Sequence, residues 1–86
     1  MKIGCILVLY NQNNDLLKSI LNIIVNQVDE VFISDNSITN QEDLFLDYKN
    51  IKYEFIGKNI GIASAQNIGI KYFLDQKSDY ILFLDQ

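Results

Sequence analysis

Polar residues follow each of the four strands that the sequence predicts. They are the pairs Tyr10-Asn11, Asp35-Asn36, Lys58-Asn59 and Asp85-Gln86. In parallel α/β sheets, ligands bind outside the carboxyl ends of the strands, where the strand order reverses. A carboxylate at such an end can accept hydrogen bonds from a nucleobase or a ribose hydroxyl. The spacing therefore predicts one concave binding site at the four strand ends.

Asp35 closes the second predicted strand and has two interpretations. Its carboxylate could bind a ligand at the predicted site. It could equally cap the turn Asp35-Asn36-Ser37, because Asp, Asn and Ser all favour turns. From spacing alone we weigh the cap over the ligand at roughly two to one, and both can hold.

The segment Asn59–Ala65 opens a predicted helix. Helix N-termini present free N–H groups and the positive end of a dipole, which suits phosphate. Gly61 allows close backbone approach and Lys58 adds a positive charge, although a capped helix start with small packing residues is the plainer interpretation. Asn67, further along this helix, could reach a ligand, but an exposed Asn is the commoner case. Neither a dinucleotide fingerprint nor a P-loop is present, because the turn after the first strand has no glycine.

Asp85 follows the apolar run Leu82–Leu84 and is a candidate for metal or ribose binding. The plainer interpretation is an ordinary acid at the end of a strand. One carboxylate holds Mg²⁺ or Mn²⁺ poorly without a substrate phosphate, so a second acid would be needed. Cys5 is the single cysteine; we expect it in the core, with a reducing, cytoplasmic compartment.

Composition narrows the class of protein. The chain has 86 residues, is 49% hydrophobic and carries a net charge of −4, which predicts one small folded domain over residues 1–86. The absence of histidine excludes His-based triads and most zinc chemistry. Seven lysines without a basic cluster, against eleven acids, argue against nucleic-acid binding. No apolar stretch approaches the roughly 20 residues of a membrane span.

Strand and helix patterns alternate along the chain. Apolar runs and two-residue alternation predict four strands, at Lys2–Tyr10, Glu30–Ser34, Ile51–Ile56 and Tyr80–Leu84. Helical spacing predicts helices from the turn Asn11–Asp15 to about Gln27, around Glu42–Tyr48, and from about Ile62 to Gln76. The inner stripe of the last helix is predicted at Ile62, Ala65, Gly69 and Phe73.

This alternation predicts an α/β, three-layer, mostly parallel four-stranded Rossmann-like sheet. Lys52 and Glu54 alternate with apolar residues, which makes the third strand an edge and favours the order 3-2-1-4. The fourth strand is apolar at consecutive positions and is expected to need cover on both faces. Such a strand at the end of the chain suggests a truncated domain; the alternative is a complete domain whose fourth strand pairs in a homo-oligomer.

Four segments together resemble the N-terminal half of family 2 glycosyltransferases, which have the GT-A fold. These segments are Ile6–Asn11, Val31–Ser37, Asn59–Ile70 and Tyr80–Gln86. The run N-x-G-x-A-x-A-x-N-x-G and the ending L-D-Q look most like bacterial rhamnosyltransferases. The resemblance implies a nucleoside-diphosphate sugar (dTDP- or UDP-sugar) as donor, a glycan or lipid-linked acceptor, and Mg²⁺ or Mn²⁺ in the intact enzyme.

The resemblance also implies roles for single residues. The strand end Val8–Asn11 would line the base pocket, and Asp35 matches the acid that hydrogen-bonds the pyrimidine base. Asp85 matches the first acid of the D-x-D motif, whose metal-binding acid would follow Gln86. The nucleotide-binding residues implied in this way are Val8, Leu9, Tyr10, Asn11, Asp35, Asn59, Gly61, Asn67 and Asp85.

The function expected from the resemblance is sugar transfer, with rhamnose as the sugar, to a surface polysaccharide. No catalytic residue is expected within this chain, which is predicted to bind nucleotide weakly or not at all, without turnover and without binding the metal. The parent protein is expected in the cytoplasm, peripheral to the inner face of the membrane. A non-catalytic binding or oligomerisation module is the alternative. A receiver-like or flavodoxin-like domain is disfavoured, because the first strand ends in Tyr10-Asn11 rather than in an acid pair or a phosphate loop.

Overall fold

A computed structural model describes residues 1–84 of the chain. Its strands are β1 (Ile3–Leu9), β2 (Glu30–Asp35), β3 (Ile51–Phe55) and β4 (Tyr80–Leu84). They form one sheet of order β3-β2-β1-β4, and each described strand pair is parallel. The predicted α/β class and strand order are therefore confirmed. The helices are α1 (Asn14–Ile24), a short 3₁₀ helix (Glu42–Phe45) and α2 (Ile62–Asp75).

The helices cover opposite faces of the sheet and produce the predicted three layers. On one face, alternate residues of β1 and β2 are buried against α1 and the 3₁₀ helix; this cluster includes Cys5, Leu7, Leu9, Leu17, Leu21, Val31, Ile33 and Phe45. On the other face, Ile6 and Phe32 are buried against Phe73 of α2. Because side chains alternate along a strand, residue parity decides which helix each side chain meets.

Helix α1 begins where the polar turn predicts and ends earlier than predicted. Asn13 is its N-cap, and the Asn13 side chain accepts a hydrogen bond from the backbone N–H of Leu16 at 3.0 Å. The helix ends at Ile24 rather than near Gln27. The N–H of Gln27 instead donates to the carbonyl of Ile24 at 2.9 Å, a spacing of three residues that tightens the chain into a turn.

Small residues let α2 lie close to the sheet. Ala65, Gly69 and Phe73 form its buried stripe, as predicted. A Cβ on Gly69 would meet Ile6 at 2.9 Å, and one on Gly4 would meet the Phe73 ring at 2.5 Å. Ile62, also predicted in this stripe, is 67% exposed. It is the first residue of α2 and lies beside the strand ends rather than over the core.

The two edges of the sheet differ in character. β3 has the expected edge pattern, in which Lys52 and Glu54 are exposed between partly buried apolar residues. β4 pairs only with β1 among the described strands, and Leu82 and Phe83 are 46% and 51% exposed. The cover expected for β4 is therefore not supplied by the described residues. None of the described helices has the length and apolar character that a membrane crossing requires.

We predict that Gly4→Ala lowers the free energy of unfolding by about 1–3 kcal/mol, although alanine normally suits a strand better than glycine. The reason is the buried Phe73 ring, which the new methyl group would overlap. Chemical denaturation of Gly4→Ala, Phe73→Leu and the double variant measures this. This double-mutant cycle should show a coupling free energy above about 1 kcal/mol between the two positions. Strictly additive losses of unfolding free energy would contradict the contact.

Candidate functional site

A cleft of about 460 Å³ opens at the carboxyl end of the sheet, beside the reversal of strand order between β1 and β4. We call it the switch-point cleft. Its lining combines apolar side chains with neutral polar ones: Val8, Tyr10, Asn36, Asn59, Ile62, Gln66 and Leu84. The described lining contains no carboxylate and no ammonium group. This is the place where an open α/β sheet binds ligands.

Strand alternation sends Asp35 and Asn36 to opposite faces of the sheet. Ser34, two residues before Asn36, donates its hydroxyl to the carbonyl of Ala65 in α2 at 2.7 Å. Asn36 follows the same parity and lines the switch-point cleft, whereas the carboxylate of Asp35 lies on the α1 face with Tyr53. Sequence reasoning placed Asn36 at a strand end of the predicted site and in a turn, but gave it no ligand-binding role of its own. Phe32, Ser34 and Asn36 are at alternate positions and therefore share one face of the strand. This alternation would have assigned Asn36 to the α2 face.

The Asp35 carboxylate is fully buried and bonded within the chain. Asp35 is 0% exposed, and its Oδ1 accepts from the backbone N–H of Ser37 at 2.9 Å, as a turn cap does. Its Oδ2 accepts from the Tyr53 hydroxyl at 2.6 Å and from the Gln41 amide at 3.0 Å. The geometry therefore fits the cap interpretation, and binding of a ligand by Asp35 stays a prediction.

Tyr53 is held as a neutral phenol by its surroundings. Burial raises its pKa, and the hydrogen bond that its hydroxyl donates to Asp35 raises it further. The backbone N–H of Gln41 donates to the same hydroxyl at 2.9 Å. The phenol thus links β3 to the end of β2, and it keeps this link while protonated.

Asn36 has one side-chain atom bonded and one unpaired. Its Nδ2 donates to Oδ1 of Asn59 and to the carbonyl of Gly61, each at 3.3 Å. These two acceptors fix the orientation of the amide. Its Oδ1 is buried and has no hydrogen-bond partner among the described residues. A buried acceptor without a donor costs free energy. Because Asn36 lines the switch-point cleft, a ligand N–H or O–H that reached this atom would satisfy it.

The N-terminus of α2 reaches the same cleft without a side-chain cap. Its N-cap is Gly61, which has a φ of 89° and makes no side-chain hydrogen bond, in contrast to the capped start of α1. The first N–H groups of a helix lack intrahelical acceptors and attract anions. The Oδ1 of Asn59 accepts from the N–H of Gly61 at 2.9 Å and holds this turn. The helix start therefore offers donors to an anion in the cleft.

The other residues predicted to bind nucleotide lie in different parts of the chain's structure or outside the described residues. Val8, Tyr10 and Asn59 line the switch-point cleft. Leu9 is buried in the core on the α1 face, and Asn67 is exposed on α2 outside the cleft lining. Asn11 lines a second cleft, described below. Asp85 lies outside the described residues.

The described residues do not supply a metal site. Within residues 1–84, no group of three or more His, Cys, Asp or Glu side chains could hold a metal ion. The described lining of the switch-point cleft offers amide, hydroxyl and apolar groups, which is a poor donor set for Mg²⁺ or Mn²⁺. Among residues 1–84, the lining of this cleft therefore offers groups suited to hydrogen bonding.

We predict that Tyr53→Phe lowers the free energy of unfolding by about 1–2 kcal/mol near neutral pH, because a buried carboxylate loses a donor. In the wild type the fold raises the pKa of Tyr53, so unfolded Tyr53 ionises first as pH rises above about 10 and its contribution to stability is lost. The difference in unfolding free energy between the wild type and Tyr53→Phe should then shrink. Urea unfolding between about pH 8 and 11 measures this. Tyr80→Phe on exposed β4 is the control, and a difference that stays constant with pH would contradict the contact.

Comparison with known proteins agrees with this architecture. The profile described as glycosyl transferase family 2 matches residues 5–86. The dTDP-rhamnosyl transferase RfbF of Shigella flexneri is 33% identical over 85 residues, which make up 98% of this chain and 29% of that protein. The chain thus spans less than a third of the length of this relative. No solved structure matches it. Because the family profile covers nearly the whole chain, the protein belongs to glycosyl transferase family 2.

Proposed function

We propose that this chain is the nucleotide-recognition part of a glycosyltransferase, and that the nucleotide occupies the switch-point cleft. The observation that carries the proposal is the buried, unpartnered Oδ1 of Asn36, a residue that lines that cleft. The open N-terminus of α2 supports it, because it places anion-binding groups next to this acceptor. The similarity to a dTDP-rhamnosyl transferase supports dTDP-rhamnose as the donor, with a UDP-sugar as the alternative.

The Asn36 acceptor selects among nucleobases by hydrogen-bond polarity. The imide N–H of uracil or thymine is a donor that can pair with Oδ1 of Asn36. The ring nitrogen at the same position in cytosine is an acceptor, which would leave two acceptors facing each other. Val8, Ile62 and Leu84 line the same cleft and give the flat base an apolar surface. The proposed ligand class is therefore a uridine or thymidine diphosphate.

The diphosphate is proposed to lie at the start of α2. Gly61 has no Cβ, and a Cβ built there meets nothing within 4 Å, so a phosphate can approach the backbone closely. Lys58 is exposed three residues before Gly61 and adds a positive charge nearby. The free N–H groups of the first helical turn donate to the phosphate oxygens and orient the ligand.

Sugar transfer itself is proposed for a longer protein, with a glycan or lipid-linked acceptor and with Mg²⁺ or Mn²⁺ on the diphosphate. A bound divalent ion would stabilise the charge on the leaving diphosphate; Asp85 would be one ligand. We assign no catalytic residue in this chain and expect no transfer by it alone. The buried free thiol of Cys5 is compatible with the cytoplasm as the proposed compartment.

We predict that dTDP and UDP bind the isolated chain and that CDP binds at least about tenfold more weakly, because its base presents an acceptor to Asn36. NMR titration of the labelled chain with each nucleotide in Mg²⁺ measures this. Shifts should cluster at Tyr10, Asn36, Asn59 and Gly61. Equal affinity for CDP, or no shifts in a folded chain, would contradict the proposal.

Variants for this titration follow from the contacts. Asn36→Ala should weaken dTDP binding about tenfold, while Asn26→Ala, an exposed asparagine after α1, is the matched control. Asp35→Ala is a poor probe, because it would leave the donors of Ser37 and Tyr53 without an acceptor and would disturb the fold itself.

A second candidate function is self-association through β4. The described strand Tyr80–Leu84 has no charged residue, although natural edge strands are usually protected by charge, proline or a bulge. We predict a concentration-dependent dimer in light scattering that Leu82→Lys abolishes. Ile23→Lys, on the 62% exposed Ile23 of α1, is the control. A wild-type monomer at millimolar concentration would contradict this candidate.

A further inference from the structure

Gln41 connects two segments that approach the switch-point cleft from the α1 side. Its Nε2 donates to Oδ2 of Asp35 at 3.0 Å and to Oγ of Ser37 at 3.4 Å. Its Oε1 accepts from Nε2 of Gln12 at 2.9 Å. One side chain therefore joins the turn Asp35-Asn36-Ser37 to the loop Asn11–Asn14. It does so in a second cleft, of about 410 Å³, lined by Asn11, Gln12, Asn14, Ser37, Ile38, Thr39 and Gln41.

The orientation of the Gln41 amide is fixed by its neighbours. The Asp35 carboxylate is an acceptor, so the NH₂ group of Gln41 must face it. The backbone N–H of Gln41 donates to Tyr53 at 2.9 Å, and the Tyr53 hydroxyl donates to Asp35 at 2.6 Å. Backbone and side chain of Gln41 thus close a ring through Tyr53 and Asp35. A carboxylate at position 41 could not donate to Asp35 unless it were protonated.

Both joined segments continue into the switch-point cleft. Asn36 lies within the turn, and Tyr10 directly precedes the loop; both line that cleft. The loop begins with Asn11, whose backbone is in the left-handed region at a φ of 51°. Residues other than glycine adopt this conformation infrequently. The N–H of Asn11 donates to Oγ of Ser37 at 3.4 Å, a long contact. The bond between Gln12 and Gln41 is shorter than this contact, and the backbone N–H of Asn36 separately ties the turn to the end of β1 by donating to the carbonyl of Leu9 at 2.8 Å.

We infer that Gln41 is a positioning residue for the switch-point cleft, and that it holds the loop after Tyr10 against the turn that contains Asn36. This inference rests on the proposed function, because the placement of the loop matters to a nucleotide held between Tyr10 and Asn36. Gln41 itself does not line the switch-point cleft and acts through Gln12, Asp35 and Ser37. None of the sequence motifs singled out Gln41, because its partners are 4 to 29 residues away in the chain.

The test is Gln41→Glu, which keeps the size of the side chain and replaces the donor by a carboxylate. Two carboxylates at hydrogen-bond distance repel each other until one binds a proton. We expect dTDP affinity relative to wild type to fall at least about fivefold at pH 8, and to recover to within about twofold near pH 5, where the pair shares a proton. The ionisable groups facing this position are Asp35 and Tyr53, with Glu42 next in the chain.

Affinity is compared with wild type at each pH, so that titration of the nucleotide phosphate cancels. Gln27→Glu makes the same charge change at an exposed residue after α1 and should track wild type throughout. If the dTDP affinity of Gln41→Glu equalled that of wild type at every pH, the inference would be overturned. If this variant unfolds at pH 8, Gln41→Leu decides: a folded Gln41→Leu chain with unchanged dTDP affinity would overturn it equally.

Amide hydrogen exchange without nucleotide separates this inference from the proposed function. If Gln41 bridges loop and turn, Gln41→Leu should speed exchange at Asn11 and Gln12 at least about fivefold while the core strands keep their protection. Failure of wild type to bind dTDP, together with this faster exchange, would refute the nucleotide site and leave the bridge supported. Unchanged exchange in the loop would refute the bridge even where wild type binds dTDP.

Discussion

A buried carboxylate must find hydrogen-bond donors inside the protein, and Asp35 finds three of them within its own chain. Ser37 supplies a backbone N–H, Tyr53 a phenol and Gln41 an amide. These donors come from the turn after β2, from β3 and from the segment before the 3₁₀ helix. The carboxyl edge of the sheet is therefore organised around one negative group. The cleft on the α2 face lies on the reverse side of this arrangement, because the next residue, Asn36, points the other way.

The fold was predictable because its information is local. β1 was assigned as a central strand from its consecutive apolar residues, and β3 as an edge strand from the alternation around Lys52 and Glu54. The rules for crossover connections then gave the strand order. This is the arrangement expected for the N-terminal half of a GT-A domain. The early end of α1 at Ile24 was not predictable, because it depends on local hydrogen bonds from the N–H groups of Asn26 and Gln27 to carbonyls three residues earlier.

The site was less predictable because its contacts join residues far apart in the chain. Resemblance pointed to Asp35, whereas the unpartnered acceptor belongs to Asn36. Ile62 has the spacing of a core residue, but it begins its helix beyond the sheet, so it lines the cleft instead. The bonds from Gln41 to Gln12 and Asp35 depend on how loops meet at the edge of the sheet. Periodic patterns in the sequence carry no information about such contacts. Asp85, a residue of the expected D-x-D motif, lies outside the described residues.

The position of β1 has a consequence for the order in which the protein forms during synthesis. β1 is synthesised before β4, which is one of its two neighbours in the sheet, and the backbone N–H of Lys2 bonds to Asp79 across 77 residues at 2.7 Å. Closing so long a segment is entropically costly and slows folding. β1 therefore waits for β4, and until β4 pairs with it the second edge of β1 is open to chaperones and to other nascent chains.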